Sequence, residues 1–157
     1  MTIAIPGEIV PSFEGAATGN TTIKSADLLG KNVVLYFYPK DNTPGCTMEG
    51  QAFRDRISDF EKLNTVILGV SRDSVKMHEG FKCKQAFPFE LISDPDETLC
   101  NLFDVIKMKS MYGKQVRGIE RSTFLLDKEG RLVREWRKVK VKGHVEEVLD
   151  AVTQLKA

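Results

Sequence analysis

Three short apolar runs limit what this chain can fold into more than any other feature of its sequence. They lie at Val33–Tyr38, Thr65–Val70 and Ser122–Asp127. Successive positions within them are apolar, rather than alternate ones, which is typical of strands that are buried on both faces. A segment with helical spacing of apolar residues separates the first two runs, so these strands should be parallel and joined by a right-handed crossover. The sequence therefore predicts an α/β fold, with helices on both faces of a mixed central sheet.

Shorter elements are predicted around these strands. Further strands are expected at Ile9–Glu14, Thr21–Lys24, Leu91–Ser93 and, after a tight turn at Lys128–Gly130, at Leu132–Val141. Helices are expected from Cys46 to about Leu63, from Val75 to about Gln85 behind an N-cap at Ser74, from Asp94 through Phe103 toward Ile106, and after Gly143. A single helical turn closed by glycine is expected at Ser25–Gly30.

The length and charge of the chain narrow its class. The 157 residues suit one domain over residues 1–157, and the net charge of +1 gives no general attraction to nucleic acid or anionic lipid. No apolar run approaches the ~20 residues of a membrane-spanning helix, and no signal peptide is visible, so we predict a cytoplasmic protein. The basic residues between Arg131 and Lys142 are interpreted as the exposed face of a strand, with docking of an acidic protein as the alternative.

Cys46 lies where a strand pattern gives way to a helix pattern. Pro39 ends the apolar run, Asn42, Pro44 and Gly45 supply loop chemistry, and the helical spacing starts at Cys46. Free backbone N–H groups and the positive end of the helix dipole favour a thiolate in the first turn of a helix. The position therefore favours a reactive, nucleophilic cysteine over a buried structural one.

Other uses of the cysteines are weaker interpretations. Three cysteines are too few for a disulfide framework, and a thioredoxin-type disulfide oxidoreductase needs Cys-x-x-Cys, where this chain has Glu49. The cysteines, His78 and His144 lack the short paired spacing of a zinc site, and the two histidines are interpreted as polar surface residues. A non-enzymatic holdase or redox sensor that uses the same cysteine stays open.

Two motifs resemble those of the peroxiredoxin family. Pro39, Thr43 and Cys46 stand as Pro-x-x-x-Thr-x-x-Cys, and the longer run Tyr-Pro-Lys-Asp-Asn-Thr-Pro-Gly-Cys-Thr-x-Glu resembles the bacterioferritin-comigratory, or peroxiredoxin Q, subfamily. Arg121–Asp127 resembles the later arginine-strand motif of that subfamily. The resemblance implies a thioredoxin-like fold and a thiol peroxidase, with Cys46 as the peroxidatic cysteine and Thr43, Pro39 and Arg121 beside it. No organic cofactor is expected, because the glycines form no phosphate-binding pattern.

The residue types suit the attack of sulfur on a peroxide oxygen. Arg121 would hold a positive charge near Cys46, with several fixed donors for sulfur and oxygen together. The Thr43 hydroxyl could accept from the peroxide O–H and donate to the thiolate, and Pro39 could shield the thiolate without presenting a competing donor. Glu49 is either a partner that orients Arg121 or an acid that the helix dipole favours in the first turn.

The sulfenic acid formed at Cys46 must then be reduced. Many members of the subfamily place a second cysteine five residues after the first, where this chain has Gln51. Another branch places it in the helix after the second core strand, which favours Cys83 as the resolving cysteine, while Cys100 is interpreted as a core residue. A disulfide needs Cα atoms within about 7 Å, which two folded helices need not offer. We therefore expect local unwinding at the first turn with Cys46, in the second helix near Cys83, or in both, with Gly80 as a weak point of the second helix.

The resemblance also implies the partners of such an enzyme. The substrates would be hydrogen peroxide and organic hydroperoxides, the reductant thioredoxin or glutaredoxin, and the protein a monomer. A one-cysteine peroxidase, in which an external thiol resolves Cys46 directly, stays the nearest alternative.

Overall fold

The predicted alternation of strands and helices is found in the computed structural model, which describes residues 3–155. The strands are β1 (Glu14–Ala17), β2 (Thr21–Lys24), β3 (Asn32–Phe37), β4 (Thr65–Ser71), β5 (Glu90–Ser93), β6 (Ile106–Met111), β7 (Lys114–Ile119), β8 (Ser122–Leu126) and β9 (Leu132–Trp136). The helices are α1 (Pro44–Asp55), α2 (Ile57–Lys62), α3 (Val75–Gln85), α4 (Thr98–Leu102) and α5 (His144–Leu155), with a 3-10 turn at Ser25–Leu28. The two residues at each end of the predicted domain 1–157 lie outside the described residues.

Seven strands form one mixed sheet in the order β2-β1-β5-β4-β3-β8-β9. The three apolar runs lie next to one another, since β3 pairs in parallel with β4 and antiparallel with β8. Every residue of β3 is buried, as its continuous apolar pattern predicts. The parallel crossover from β3 to β4 and the antiparallel pairing of β8 with β9 agree with the sequence.

Alternate side chains of β3 enter two separate core layers. Leu35 and Phe37 point into the layer that includes α4 and the N-terminal segment, whereas Val34 and Tyr36 point into the layer covered by α1, α2, α3 and α5. Cys46 belongs to the second layer and Cys100 to the first, so the sheet lies between these two cysteines. Helices therefore cover both faces of the mixed sheet, as the sequence predicts.

The single helix predicted from Cys46 to Leu63 is wrong in one respect, because it is broken at Arg56. The backbone of Arg56 leaves the helical region at φ −111° and ψ 9°, and its side chain contacts Asp59 and Glu146. Phe53 and Phe60 are both fully buried on either side of the break. The apolar spacing continues through the break, so periodicity gives no sign of it.

The sequence predicted no element between the helix that ends near Ile106 and the third apolar run, where the structure has a two-stranded hairpin, β6–β7. It turns at Tyr112 and Gly113, whose φ angles of 53° and 78° are both positive, as a two-residue hairpin turn requires. Its strands are mostly exposed, and Ile106 opens β6 rather than extending a helix. The hairpin lies outside the seven-stranded sheet.

Three other elements begin or end at different residues from those predicted. The first strand begins at Glu14, and Ile9 makes only an isolated bridge to Arg131. The helix expected from Asp94 is confined to Thr98–Leu102, and β9 ends at Trp136 rather than at Val141. None of the helices described is long and apolar enough to cross a lipid bilayer.

Candidate active site

Cys46 occupies the third position of α1, where the chain has just left the sheet at the end of β3. Thr43 is the N-cap of this helix and Pro44 its first residue, which suits proline because the first N–H of a helix has no intrahelical partner. The predicted loop-to-helix junction is therefore present. The Cys46 side chain is nearly buried, with 2% of its surface exposed.

Arg121 joins Cys46 to Glu49. It directly precedes β8, whose first residue pairs with Phe37 at the end of β3, and this pairing delivers the guanidinium to the loop that carries Cys46. Nη2 of Arg121 donates to Sγ of Cys46 at 3.4 Å, and Nη1 donates to Oε1 of Glu49 at 2.6 Å. The structure therefore brings together three predicted site residues, one of them 75 positions from Cys46 in the chain.

Glu49 is a fully buried carboxyl group with one unused oxygen. Burial raises the pKa of Glu49 to about 7, although the charge and hydrogen bond of Arg121 work against this shift. Its Oε2 atom is buried and has no hydrogen-bond partner among the described residues. Burial also works against the charge of Arg121, yet Glu49 and Cys46 raise the pKa of Arg121, so the guanidinium stays charged.

Gly45 permits the close approach of Arg121. A Cβ atom at this position would lie 3.0 Å from Nη2 of Arg121, the atom that contacts Cys46. Glycine therefore serves here to leave room for a guanidinium rather than to adopt an unusual backbone conformation.

Thr43 and Pro39 flank the same loop. Oγ1 of Thr43 donates to the Lys40 carbonyl at 2.8 Å, so the donation to the Cys46 thiolate expected from the sequence is not made. The lone pairs of that hydroxyl can still accept a hydrogen bond from another molecule. Pro39 follows the buried Tyr38, is itself half-buried, and places no N–H in the loop.

The structure places the other two cysteines differently from each other. Cys83 is exposed on α3, and α3 packs beside α1 through hydrogen bonds from Gln51 and Arg54 to Gln85, of 2.9 Å and 2.8 Å. Cys100 is fully buried, and burial followed by Asp94 raises the pKa of its thiol strongly. All three cysteines are free in this structure.

The interpretation of both histidines as surface residues is wrong. His78 is completely buried and contacts Asp41, and His144 is 2% exposed with Nε2 at 2.8 Å from Oγ1 of Thr123. Burial, reinforced by Arg121, lowers the pKa of His144 from 6.5 to about 4. Both contacts join residues far apart in the chain, so no local pattern marks them.

Lys109 is a second cation near the site that the sequence did not single out. It lies on β6 and donates to the carbonyl of Ile119, close to Arg121. Burial and the neighbouring charge of Arg121 lower the pKa of Lys109. The β6–β7 hairpin thus reaches the surroundings of Cys46, a placement visible only once the chain is folded.

Comparison with known proteins gives concordant matches. A sequence model of the AhpC/TSA family matches residues 6–135. Peroxiredoxin Bcp of Bacillus subtilis is 52% identical over 155 residues, which cover 99% of this chain and 98% of the relative. Peroxiredoxin Bcp of Xanthomonas campestris is 62% identical over 123 residues, or 78% of this chain and 77% of the relative. A cysteine-to-serine mutant of Xylella fastidiosa PrxQ superposes with a TM-score of 0.93 at 45% identity, over all of both chains.

Proposed function

Since this chain belongs to the AhpC/TSA family, whose model matches most of its length, we propose that it reduces hydroperoxides with the Cys46 thiolate. The predicted class of enzyme, a thiol-dependent peroxidase, agrees with its peroxiredoxin relatives. The observation that carries the assignment to Cys46 is the Arg121 guanidinium, which contacts both its sulfur and Glu49.

The first step is the attack of the Cys46 thiolate on the terminal oxygen of the hydroperoxide. A sulfur–oxygen bond forms, the oxygen–oxygen bond breaks, and the departing alkoxide or hydroxide takes up a proton to leave as an alcohol or water. Cys46 becomes a sulfenic acid and the peroxide is reduced. Negative charge moves from sulfur to the leaving oxygen, and the Arg121 donors are fixed in a nearly dry site where such charge is stabilised strongly.

Thr43 and Pro39 shape the oxygen side of this site. The Thr43 hydroxyl donates to the Lys40 carbonyl and therefore offers only an acceptor to the hydroperoxide O–H. Pro39 limits access of water without adding a donor that would compete for the sulfur. Glu49 holds the second arm of Arg121 and so sets the direction of the arm that contacts Cys46.

Cys83 is the proposed resolving cysteine. Its thiolate attacks the sulfur of the Cys46 sulfenic acid, a sulfur–sulfur bond forms, the sulfur–oxygen bond breaks, and the displaced hydroxide takes up a proton and leaves as water. Its exposure and its place on a helix packed beside α1 support this choice, whereas Cys100 lies beyond the sheet with a strongly disfavoured thiolate. Because Cys46 is buried and Cys83 exposed, local unwinding of the first turn of α1, of α3 or of both accompanies the bond.

The reductant, the oligomeric state and the substrates complete the proposed function. The disulfide is reduced by an external dithiol protein, thioredoxin or else glutaredoxin, and the enzyme acts as a cytoplasmic monomer with one domain over residues 1–157. Both hydrogen peroxide and organic hydroperoxides are proposed substrates. The Xanthomonas campestris bacterioferritin comigratory protein, 53% identical with a TM-score of 0.88, has been studied for alkyl peroxide reduction activity in trapped intermediate and ligand complexes.

Peroxide consumption with a thioredoxin-coupled assay tests the function. The unchanged protein should consume both hydrogen peroxide and an organic hydroperoxide, and Cys46→Ser should abolish turnover. Cys100→Ser is the matched control, since it also removes a buried thiol and should leave turnover intact. Turnover retained in Cys46→Ser, or none in the unchanged protein, would overturn the assignment and favour a holdase or sensor.

Peptide mapping without reductant, after one equivalent of peroxide, tests the resolving residue separately. A peptide that links Cys46 to Cys83 supports the proposal, and one that links Cys46 to Cys100 contradicts it. If peroxide is consumed but no internal disulfide forms, the one-cysteine route with an external thiol is correct instead.

A further inference from the structure

A chain of buried polar groups lies behind the loop that carries Cys46. Tyr38 donates its hydroxyl proton to Oδ1 of Asp41 at 2.7 Å, and Oδ2 of Asp41 lies 2.7 Å from Nδ1 of His78. Nε2 of the same imidazole lies 3.0 Å from the carbonyl oxygen of Ile92. The side chains of Asp41 and His78 are both completely buried. Nothing in the proposed reaction uses these groups.

The hydrogen-bond geometry fixes how many protons this group holds. The Ile92 carbonyl can only accept, so Nε2 of His78 must carry a proton. The contact between Nδ1 and the Asp41 carboxyl group also needs a proton, whichever of the two atoms holds it. The pair is therefore neutral overall, as a fully buried pair must be to avoid a large desolvation cost.

The pair connects three separate parts of the fold. Asp41 lies in the loop between β3 and α1, His78 lies in α3, and Ile92 lies in β5. The loop is also held through its backbone, because the N–H of Asp41 donates to Oδ2 of Asp73 at 2.9 Å. Asn42 follows with a positive φ of 63°, so the chain turns sharply between this anchor and Thr43.

The arrangement is a hydrogen-bonded anchor rather than a cation site. Ligand atoms of Asp41, Asp73 and His78 lie within 4.8 Å of one another. However, Nδ1 of His78 and Oδ2 of Asp41 share a hydrogen bond at 2.7 Å, so neither lone pair is available to an ion in this arrangement.

We propose that His78 is a positioning residue for the peroxidase described above. Through Asp41 it fixes the loop that presents Thr43 and Cys46, and it acts without touching the substrate. The same imidazole holds the first half of α3 against the loop and β5, so that unwinding toward Cys83 begins only beyond it, at Gly80. This inference depends on the proposed function of Cys46 and Cys83.

Two amide substitutions separate the two contacts of the imidazole. In His78→Asn the amide nitrogen can occupy about the place of Nδ1 and donate to Asp41, whereas in His78→Gln it can reach about the place of Nε2 and donate to Ile92. We expect His78→Asn to retain the rate constant of Cys46 oxidation within about 3-fold, and His78→Gln to lose about 10-fold. Both variants should lose thermal stability to a similar extent.

Asn32→Ala is the control for stability alone. Asn32 is buried at the opposite end of β3, where it donates to the Leu63 carbonyl at 3.3 Å, so its loss should lower stability without slowing oxidation. Equal oxidation rates in His78→Asn and His78→Gln would overturn the proposal, as would a rate loss in Asn32→Ala of the same size. Failure of the proposed function itself would show separately, as absence of turnover in the unchanged protein.

Hydrogen exchange of the unchanged protein tests the second half of the proposal without any substitution. On oxidation to the disulfide, the amides of His78 and Glu79 should keep their protection, whereas those from Lys82 to Phe87 should exchange faster. Loss of protection at His78 together with Lys82 would show that the imidazole does not limit the unwinding, and that part of the proposal would be wrong.

Discussion

A Cβ atom at Gly45 would lie 3.0 Å from Nη2 of Arg121. The same nitrogen is the atom that contacts the sulfur of Cys46, at 3.4 Å. The absence of a side chain at Gly45 is thus part of the geometry around the sulfur, because a Cβ atom there would crowd the nitrogen that contacts Cys46.

Gly45→Ala should slow the oxidation of Cys46 by about 10-fold, because the added methyl group pushes the guanidinium away from the sulfur. The rate constant with hydrogen peroxide in single-turnover stopped flow measures this effect. Alanine favours a helix over glycine, so the variant should be at least as stable as the unchanged protein. An unaltered rate constant would show that Arg121 adjusts without cost.

Gly80→Ala should slow disulfide formation without slowing oxidation. A Cβ atom there meets nothing within 4 Å, so the substitution stabilises α3 by about 0.5–1 kcal/mol. If α3 must unwind before Cys83 reaches Cys46, the disulfide should form about 2–5-fold more slowly. Acid-quenched time points after one equivalent of peroxide, separated by mass, measure both steps. Disulfide formation at the original rate would place the unwinding elsewhere.

Glu49→Gln should change the dependence of stability on pH. The pKa of Glu49 is raised from 4.5 to about 7, so between these values the folded protein holds a proton that the unfolded chain releases. This group therefore makes the protein less stable as pH rises from about 4.5 to about 7, and glutamine removes that decline. Urea unfolding at pH 5 and at pH 7.5 should show the variant gaining on the unchanged protein at the higher pH.

Above pH 7 the same substitution replaces the charged acceptor beside Arg121 with a neutral amide oxygen, and it should lower the oxidation rate by about 10-fold because the guanidinium is then held less strongly. Glu147→Gln is a matched control, since this glutamate is exposed on α5. A constant difference in stability between Glu49→Gln and the unchanged protein at both pH values would contradict a raised pKa of Glu49.

His144→Gln should remove a loss of stability in acid. The pKa of His144 is lowered to about 4, so between pH 6.5 and 4 the unfolded chain binds a proton that the folded protein excludes. The unchanged protein should therefore lose on the order of 2 kcal/mol as pH falls through this range, relative to the variant. Glutamine can keep the contact with Thr123. Parallel pH profiles of the two proteins would contradict the prediction.

Strong local patterns explain what the sequence could predict of the fold. β3 and β4 are apolar at nearly every position, and the apolar stripe of α5 and the Ser74 cap of α3 are equally local, so these elements appear as predicted. The β6–β7 hairpin has polar, exposed strands, and the pairing of Ile106 with Ile119 is the non-local contact that defines it. Such a hairpin has no periodic signal.

The residues of the site likewise include some that the sequence predicted and some that it did not. Cys46 and Glu49 lie three residues apart on one helical face, which the sequence alone indicates. Arg121 lies far from them in the chain, and only the resemblance of its motif to that of the family predicted that it lies beside Cys46. His78 gave no such signal, because its burial depends on Asp41, a partner 37 positions away, and on a carbonyl of β5. The hydrogen bond from Thr43 to the Lys40 carbonyl could not be predicted either. The sequence indicated the loop, but it gave no information on the orientation of the hydroxyl.

The hydroxyl of Thr43 donates its only hydrogen to the Lys40 carbonyl, and this affects which peroxides the site can bind. This oxygen can accept a hydrogen bond from a molecule that has an O–H group, and it makes no hydrogen bond to a molecule that lacks one. Dialkyl peroxides, which have two carbon-capped oxygens, should therefore be ignored by this protein even when their oxygen–oxygen bond is as weak as that of a hydroperoxide of the same size.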